Sequence, residues 1–308
     1  EVPAYGLIDL ADVTPLDMTK IPKVASGIAE LDRAIGGFMM GDVSVWTAKR
    51  GSGKSTLLSQ VCLEAVEAGE RVCVYSGELR AERFQSWFHL QAAGSRNIRE
   101  YFDTVTERTV PYVPRETADR IREWYRGRIY IYDNAIAEGG EASSILKVFE
   151  VAAKRYNCRV FLVDNLMTAQ FEEQRDSNYY RAQSAFVGKL VEFANRYNVH
   201  VHLVAHPRKT NGELENDDVA GSGDITNRAA NVFGMERVPE DKKNMAGFST
   251  GLKILKNRWD GATRKIGLNF DPVSRRFYAT SGSPDKHYGW EADYVETHQE
   301  EMGGDMPW

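Results

Sequence analysis

The chain has 308 residues, of which 42% are hydrophobic and 11% aromatic, so it can bury a sizeable core and is not an intrinsically disordered chain. Its formal net charge of −5 argues against a globally basic nucleic-acid binder. The charge is uneven, because residues 281–308 carry −6 and residues 1–280 carry +1. We therefore expect a lead-in or linker at 1–24, a near-neutral body at 25–280 and a flexible acidic tail at 281–308.

The three cysteines, Cys62, Cys73 and Cys158, form no CxxC pair, which favours buried thiols in a reducing compartment over a zinc module or a disulfide framework. No apolar run approaches the roughly 18 residues that span a bilayer, and the N-terminus has no signal-peptide pattern. We expect a cytoplasmic protein of a bacterium or a phage-infected host, with the mitochondrial matrix less favoured and no membrane partner. The chain begins with Glu1 rather than Met, which we interpret as the start of a fragment.

Hydrophobic periodicity predicts strands that alternate with helices along most of the chain. After a helical stripe over 28–35, strands are predicted at 42–47, 71–76, 128–132, 159–163 and 199–205, with helices beginning near 54 and spanning 80–93, 116–126, 142–156 and 177–197. This alternation indicates an α/β fold with a mostly parallel central sheet that helices cover on both faces. Beyond residue 230, strands at 251–256 and 263–270 predict a C-terminal antiparallel extension.

The strongest motif is Ala48-Lys-Arg-Gly-Ser-Gly-Lys-Ser55, between a predicted strand and a predicted helix. This is the setting of a P-loop, in which glycines let backbone amides turn toward phosphate oxygens, Lys54 reaches the β- and γ-phosphates, and Ser55 can ligate Mg²⁺. Ala48 replaces the first glycine of the motif, and we expect only a modest effect. The alternative is a glycine-rich surface turn. The residues expected at the nucleotide are Ala48, Arg50, Gly51, Ser52, Gly53, Lys54, Ser55 and Thr56.

Two acids follow predicted strands and are candidates for catalysis. Asp164 ends the strand after Val163, where an acid lies beside the P-loop and can hold Mg²⁺; a strand-terminating turn residue is the alternative. Asn165 follows it, and an amide cannot take a proton from water. Glu78, after the strand that ends at 76, is therefore the candidate general base, and a helix N-terminal glutamate is the alternative.

The order of motifs along the chain resembles a known family. The P-loop is followed by Tyr75-Ser-Gly-Glu78, Val163-Asp-Asn165, Ala205-His-Pro-Arg-Lys209, Gly221-Ser-Gly-Asp-Ile225, Ala230-Asn-Val-Phe-Gly-Met-Glu-Arg237 and Lys256-Asn-Arg-Trp-Asp-Gly261. This set resembles the hexameric replicative helicases of the DnaB type, in particular the helicase half of phage primase-helicases and of the mitochondrial helicase Twinkle. The resemblance implies a RecA-like core and hydrolysis of ATP or dTTP with Mg²⁺. It also implies 5′-to-3′ translocation on single-stranded DNA by a homo-hexamer or related ring.

The resemblance also implies roles for individual residues. His206 matches the sensor of the γ-phosphate, Arg258 matches an arginine finger that reaches the neighbouring subunit's nucleotide, and Lys256 lies beside it. Arg237 and Phe270 match positions that sandwich the base. Without the resemblance, Lys256 and Arg258 would be interpreted as a solvated strand face. A metal site formed by His206 with two upstream histidines is disfavoured, because no carboxylate or cysteine completes it.

The polar stretch at 207–224 is a candidate DNA loop. Arg208 and Lys209 can contact phosphates, and Gly221, Ser222 and Gly223 can present backbone amides, so binding would not depend on sequence. An acidic loop with no DNA role is the alternative. The tail ends in acids before Trp308, a pattern typical of segments that recruit a polymerase or another replisome protein, with a solubilising tail as the alternative.

Two other classes of protein share part of this pattern. A RecA- or KaiC-like ATPase in recombination or signalling would keep the P-loop and Asp164, but Lys256-Asn-Arg258 and the acidic tail argue against it. A hydrolysis-dead loader is disfavoured because Lys54, Glu78 and Asp164 are all present.

Overall fold

The computed structural model describes residues 7–15, 17, 19–132, 142–169, 177–207, 215 and 223–291. Its helices are α1 (Ala29–Ile35), α2 (Lys54–Glu67), α3 (Ala81–Ala93), α4 (Arg115–Tyr125), α5 (Ala142–Tyr156), α6 (Ser177–Tyr197), α7 (Gly223–Arg228) and α8 (Lys243–Ala246). Its strands are β1 (Lys23–Val24), β2 (Phe38–Met39), β3 (Val43–Ala48), β4 (Val72–Ser76), β5 (Arg99–Asp103), β6 (Arg108–Tyr112), β7 (Ile129–Tyr132), β8 (Val160–Asp164), β9 (His200–Ala205), β10 (Asn231–Arg237), β11 (Thr250–Asn257), β12 (Arg264–Asp271) and β13 (Arg276–Ala279).

The central sheet has the strand order β13-β12-β11-β10-β3-β9-β8-β4-β7 over the described residues. Strands β10, β3, β9, β8, β4 and β7 run parallel to one another, and β11, β12 and β13 extend the sheet by antiparallel pairing. The predicted α/β fold with a C-terminal antiparallel extension is therefore confirmed. Since parallel strands end at one edge, the residues after β3, β4, β8 and β9 lie together there.

Two cores form because side chains alternate between the faces of each strand. In β8, Val160 and Leu162 face the core under α1, α2 and α3, whereas Phe161 and Val163 face the core under α5 and α6. Burial on both faces requires nearly continuous hydrophobic strands, which explains why they were predicted well from sequence.

The extension contains more strands than the sequence predicted. Strand β10, which was not predicted, pairs in parallel with β3 and joins the core to β11. Strand β13 lies at the edge of the sheet, where Gln60 of α2 both donates to the Phe277 carbonyl and accepts from the Phe277 amide, each at 2.8 Å. A side chain of the P-loop helix thus supplies the hydrogen bonds that a further strand would otherwise make.

The body continues past the boundary expected at residue 280. Tyr288 and Trp290 are buried, the Tyr288 hydroxyl donates to Glu64 Oε1 at 2.7 Å, and the Trp290 indole donates to the Ala92 carbonyl at 2.9 Å. The expectation of flexibility from 281 onward is therefore wrong for 281–291, because two aromatic side chains outweigh the polar composition of that stretch. The remainder of the acidic tail, 292–308, lies outside the described residues.

A second unpredicted feature is a hairpin formed by β5 and β6, between α3 and α4. Its strands are rich in charged residues, and the side chains of Tyr101, Phe102 and Val105 are exposed. Asp103 shapes the turn by accepting from the Val105 amide at 2.9 Å and from the Thr106 hydroxyl at 2.8 Å. The hairpin has no apolar alternation, which is why the sequence did not indicate it.

We expect the Phe161→Ala substitution to lower the free energy of unfolding by about 3–5 kcal/mol, the range for removing a buried phenylalanine. Phe161 is fully buried, and its ring centroid lies 4.8 Å from that of Phe149 and 5.0 Å from that of Phe193. Denaturant unfolding measures the loss. Phe102→Ala is the matched control, because Phe102 is 61% exposed and its removal should change stability by only about 0.5 kcal/mol.

Candidate functional site

The predicted P-loop connects β3 to α2 at the carboxyl edge of the sheet. Gly51 and Gly53 have φ of 76° and 91°, which a residue with a side chain rarely adopts. At Gly53 an added Cβ would also lie 2.7 Å from the Phe277 ring, so the loop packs too closely on β13 for any other residue. Ala48 ends β3 and is fully buried, so the alanine at the first motif position is accommodated by the core.

Lys54 begins α2 and points back over the loop. Its ammonium donates to the Ala48 carbonyl at 2.8 Å. Burial lowers the pKa of Lys54, the carboxylates of Asp164 and Glu78 oppose this shift, and Arg50 reinforces it. A half-buried ammonium that relies on one carbonyl is well suited to exchange that contact for an anionic ligand.

Asp164 ends β8 next to the P-loop helix and is 3% exposed. Burial raises the pKa of its carboxyl, although a hydrogen bond from the Ser55 hydroxyl and the charge of Lys54 both lower it. The nearby Glu78 raises it further. The structure therefore brings a carboxylate and a hydroxyl together beside the phosphate loop.

Glu78, Asn165 and His206 form a hydrogen-bonded cluster across three strand ends. The Asn165 Nδ2 atom lies 2.5 Å from Glu78 Oε1 and 3.0 Å from His206 Nε2, and Glu78 Oε1 lies 3.6 Å from His206 Nε2. Burial lowers the pKa of His206, as does Lys54, while Glu78 raises it. The general base and the phosphate sensor expected from the sequence are thus neighbours. Asn165, which the sequence analysis treated only as the residue lacking a base function, joins them.

The cluster depends on a close approach between the ends of β4 and β8. A Cβ at Gly77 would overlap the Thr168 side chain, so glycine is required immediately before Glu78. The Gly77 amide donates to the Asp164 carbonyl at 2.7 Å, and the Tyr75 hydroxyl donates to the Thr168 carbonyl at 3.0 Å. These contacts hold Glu78 beside the turn that follows Asp164.

A cleft of about 960 Å³ opens over the P-loop and brings the predicted site residues together. Glu78, Asp164 and His206 line it from the core, and Arg237 and Phe270 line it from the extension. The predicted residues of the P-loop from Arg50 to Thr56 also line the cleft, whereas Ala48 lies beneath it. The residues in the cleft that the sequence analysis missed are Trp87, Asn165, Lys243, Ser249, Thr250, Pro272, Arg275 and Phe277.

Arg275 is the most distinctive of the missed residues. It has a positive φ of 57°, and its guanidinium carbon lies 4.2 Å from the centroid of the Trp87 ring. Its Nε atom is buried without a hydrogen-bond partner among the described residues, and burial lowers its pKa. No spacing rule in the sequence pairs Arg275 with Trp87, because α3 and the β12–β13 turn meet only in the folded chain.

Lys256 and Arg258 lie at the opposite edge of the sheet from their own P-loop. In the strand register, Asn257 pairs with Asn231, which pairs with Ser44 at the start of β3, whereas Met235 pairs with Ala48 at its end. Four residues of strand separate the two edges by about 13 Å. Lys256 Nζ donates to the Thr226 carbonyl at 2.7 Å, and Arg258 donates to the Asn227 carbonyl at 2.6 Å, so both cations cap the end of α7.

Most of the candidate DNA loop cannot be placed. Arg208, Lys209, Gly221 and Ser222 lie outside the described residues, and Gly223 begins α7. The loop nevertheless leaves from His206 at one edge of the sheet, and the chain returns at the α7 end that Lys256 and Arg258 contact.

His200 and His202 are core residues rather than metal ligands. His200 Nδ1 donates to the Met39 carbonyl at 2.7 Å, and its Nε2 lies 3.0 Å from Ser44 Oγ. The Trp46 indole donates to His202 Nδ1 at 3.2 Å. Across the described part of the chain, no group of three His, Cys, Asp or Glu side chains is arranged to hold a metal ion.

These histidines predict a loss of stability in mild acid. Burial lowers the pKa of His200 to about 4 and that of His202 well below 6.5, so the unfolded chain binds their protons more readily. Their stabilisation is complete above pH 6.5 and declines as the pH falls toward 4, by about 3 kcal/mol for His200. Denaturant unfolding from pH 7 to pH 4.5 measures the slope, and His200→Gln should flatten it; an equally steep slope would contradict this assignment.

The fold and the cleft together define a RecA-like P-loop NTPase domain. A family model described as an AAA domain matches residues 12–212, and the chain belongs to this family. The DNA repair protein RadA of Brucella abortus (strain 2308) is 34% identical over 94 residues, which are 28% of this chain and 20% of that protein. The chain thus matches only about a fifth of the length of this curated relative. No helix in the described ranges is both long and apolar enough to cross a bilayer.

Solved structures share the fold over most of the chain. The ATPase domain of a phage helicase has a TM-score of 0.68 at 18% identity, and the match covers 84% of this chain and 92% of that domain. A DnaB-like replicative helicase, solved with regard to its interactions with primase, has a TM-score of 0.67 at 18% identity, with 84% and 62% covered. The KaiC-like protein PH0186 of Pyrococcus horikoshii OT3 has a TM-score of 0.56 at 19% identity, with 84% and 99% covered. The resemblance to DnaB-type proteins is confirmed in the fold.

Proposed function

We propose that this chain is the motor domain of a ring-shaped replicative DNA helicase that hydrolyses ATP or dTTP to move 5′-to-3′ along single-stranded DNA. One observation carries the proposal. The cleft over the P-loop holds a lysine, a buried aspartate and a candidate base, while Lys256 and Arg258 lie at the far edge of the same sheet. Cations in that position are suited to serve the cleft of a neighbouring copy rather than their own.

The chemistry follows from the groups in the cleft. Lys54 exchanges the Ala48 carbonyl for the β- and γ-phosphates, and Glu78 takes the proton of the attacking water. The water oxygen bonds to the γ-phosphorus as the bond to the β–γ bridging oxygen breaks. His206, beside Glu78, lies where it can contact the departing phosphate. Arg258 of a neighbouring copy stabilises the charge that builds on the phosphoryl oxygens.

Asp164 and Ser55 fit a magnesium site. A buried carboxylate beside a hydroxyl supplies the hard oxygen ligands that Mg²⁺ prefers, and the hydrogen bond between the two shows that they already adjoin. Bound there with the nucleotide, Mg²⁺ would neutralise phosphate charge. Arg237 and Phe270 line the outer part of the same cleft, where we assign them to the base.

Single-stranded DNA is the proposed track, and a ring the proposed assembly. Arg208, Lys209 and the amides of Gly221, Ser222 and Gly223 are assigned to the strand. Since the body carries only +1, repetition of these groups around a ring supplies the charge that one copy lacks. We further assign the acidic tail to a polymerase or another replisome protein.

The test is nucleotide hydrolysis with and without an oligo-dT strand, together with unwinding of forks that carry either a 5′ or a 3′ loading strand, and sizing of the particle. We expect a ring, hydrolysis stimulated by the strand, and unwinding of the 5′-loaded fork. Lys54→Ala is the inactive control. DNA-independent hydrolysis by a monomer that unwinds neither fork would overturn the proposal.

A second candidate is a RecA- or KaiC-like ATPase that acts in recombination or signalling. The match to RadA and the KaiC-like fold favour it. It is distinguished by an open filament in electron micrographs, or by strand exchange without fork unwinding. The far-edge cations Lys256 and Arg258 favour the helicase.

A further inference from the structure

Asn165 is buried between the two residues that the proposed mechanism uses at the γ-phosphate. It is 1% exposed, whereas the Glu78 side chain is 52% exposed and that of His206 is 16% exposed. The amide therefore forms the inner wall of the cleft, and the carboxylate lies on its solvent side. A polar side chain buried this deeply is expected to have every hydrogen-bonding atom engaged.

The orientation of the Asn165 amide is fixed by the backbone. Its Oδ1 atom accepts from the Met167 amide at 2.9 Å and from the Thr168 amide at 3.2 Å. A flipped side chain would place an NH₂ group against two N–H donors, which excludes that orientation. The Nδ2 atom therefore faces the cleft.

The two Nδ2 hydrogens have two acceptors. Glu78 Oε1 lies at 2.5 Å and His206 Nε2 at 3.0 Å, and each can receive one hydrogen. His206 is then neutral, with its proton on Nδ1, which agrees with the lowering of its pKa by burial. One oxygen of Glu78 is held by Asn165, and the other is left for the attacking water.

We propose that Asn165 is a positioning residue that holds the base Glu78 and couples it to the phosphate sensor His206. A γ-phosphate that engages His206 alters the hydrogen bond that His206 shares with Asn165, and the same amide group aims the carboxylate of Glu78. The state of the sensor thus reaches the base through one side chain. This inference rests on the proposed function, because it takes Glu78 and His206 in the roles assigned there.

Two substitutions test the role while keeping the turn. Asn165→Ser removes both donors to the cleft, and a serine hydroxyl still accepts from the amide two residues on, although more weakly. Asn165→Asp keeps both acceptor contacts of Oδ1 and also removes the donors. Asn195→Ser is the matched control, because the exposed Asn195 side chain donates only within α6, to the Val191 carbonyl at 2.9 Å.

The readouts are kcat and KM for ATP hydrolysis, with and without an oligo-dT strand, and thermal unfolding. For Asn165→Ser we expect kcat to fall about 100-fold, the effect of misplacing a catalytic group by about 1 Å, while KM changes less than about twofold. Lys54, Ser55 and Asp164 are untouched, so nucleotide binding should persist. Stimulation by the strand should be lost, and Asn195→Ser should match the wild type.

A double variant separates coupling from local damage. If Asn165 acts through His206, then His206→Ala combined with Asn165→Ser should lose no more stimulation by the strand than either change alone. Wild-type kcat and stimulation in either Asn165 variant would overturn the proposal. So would loss of nucleotide affinity or of folding in both variants, since that result would assign Asn165 to the turn alone.

The outcome also distinguishes this inference from the proposed function. If the wild-type protein shows no stimulation by the strand, or if Glu78→Gln hydrolyses ATP normally, the proposed function itself fails. If both behave as proposed and the Asn165 variants remain active, only the coupling role fails.

Discussion

Glu78→Gln should lower kcat for nucleotide hydrolysis by about 10²–10⁴-fold, the usual contribution of a general base. Glutamine keeps the size of the side chain and can still accept from Asn165, but it cannot take a proton from water. Nucleotide affinity should change little, because Lys54 and Ser55 remain. Steady-state hydrolysis of ATP and dTTP, together with binding of a fluorescent nucleotide, measures both effects.

Glu82→Gln is the matched control for this substitution. Glu82 lies four residues further along the chain, on the exposed face of α3 and outside the cleft. It should hydrolyse nucleotide at the wild-type rate. Normal hydrolysis by Glu78→Gln would instead assign the base to another residue and leave Glu78 as a helix N-terminal acid.

Arg258→Ala is expected to lower kcat by about 10³-fold or more, in the usual range for arginine fingers. In this structure Arg258 contacts the Asn227 and Arg228 carbonyls, far from its own P-loop, so its loss should not disturb nucleotide binding by its own subunit. The measurement compares kcat with nucleotide affinity. Arg264→Ala, at an exposed position of β12, controls for removing a nearby arginine from the extension.

Full activity of Arg258→Ala would restore the simplest interpretation of Lys256-Asn-Arg258, a solvated strand face. Loss of nucleotide binding in the same variant would instead indicate a structural role, through the cap on α7. Only loss of kcat with retained affinity supports a finger.

The sequence predicted the parts of the fold that depend on local pattern. Strands such as Val160–Asp164 are hydrophobic on both faces, and this continuity makes them recognisable. The P-loop is recognisable because its glycines and Lys54 occupy a fixed spacing. Glu78 and Asp164 could be placed in one cleft because parallel strands end at one edge.

The remaining features depend on contacts between distant segments. Asn165 was considered only as a missing base, because a sequence does not show that its amide lies between Glu78 and His206. The stacking of Arg275 on Trp87 joins residues that no periodicity relates. The packing of Tyr288 and Trp290 was missed because their polar neighbours dominate the composition of that stretch.

The most direct test of the central claim, that two copies complete one site in a DNA-driven ring, mixes two inactive variants. Lys54→Ala supplies an intact Arg258 finger, and Arg258→Ala supplies an intact P-loop. In an equimolar ring, roughly a quarter of the head-to-tail interfaces would pair an intact finger with an intact loop. We expect mixing to restore strand-stimulated hydrolysis to about that fraction of the wild-type rate. A mixture that assembles into rings but remains as inactive as its components would contradict the claim.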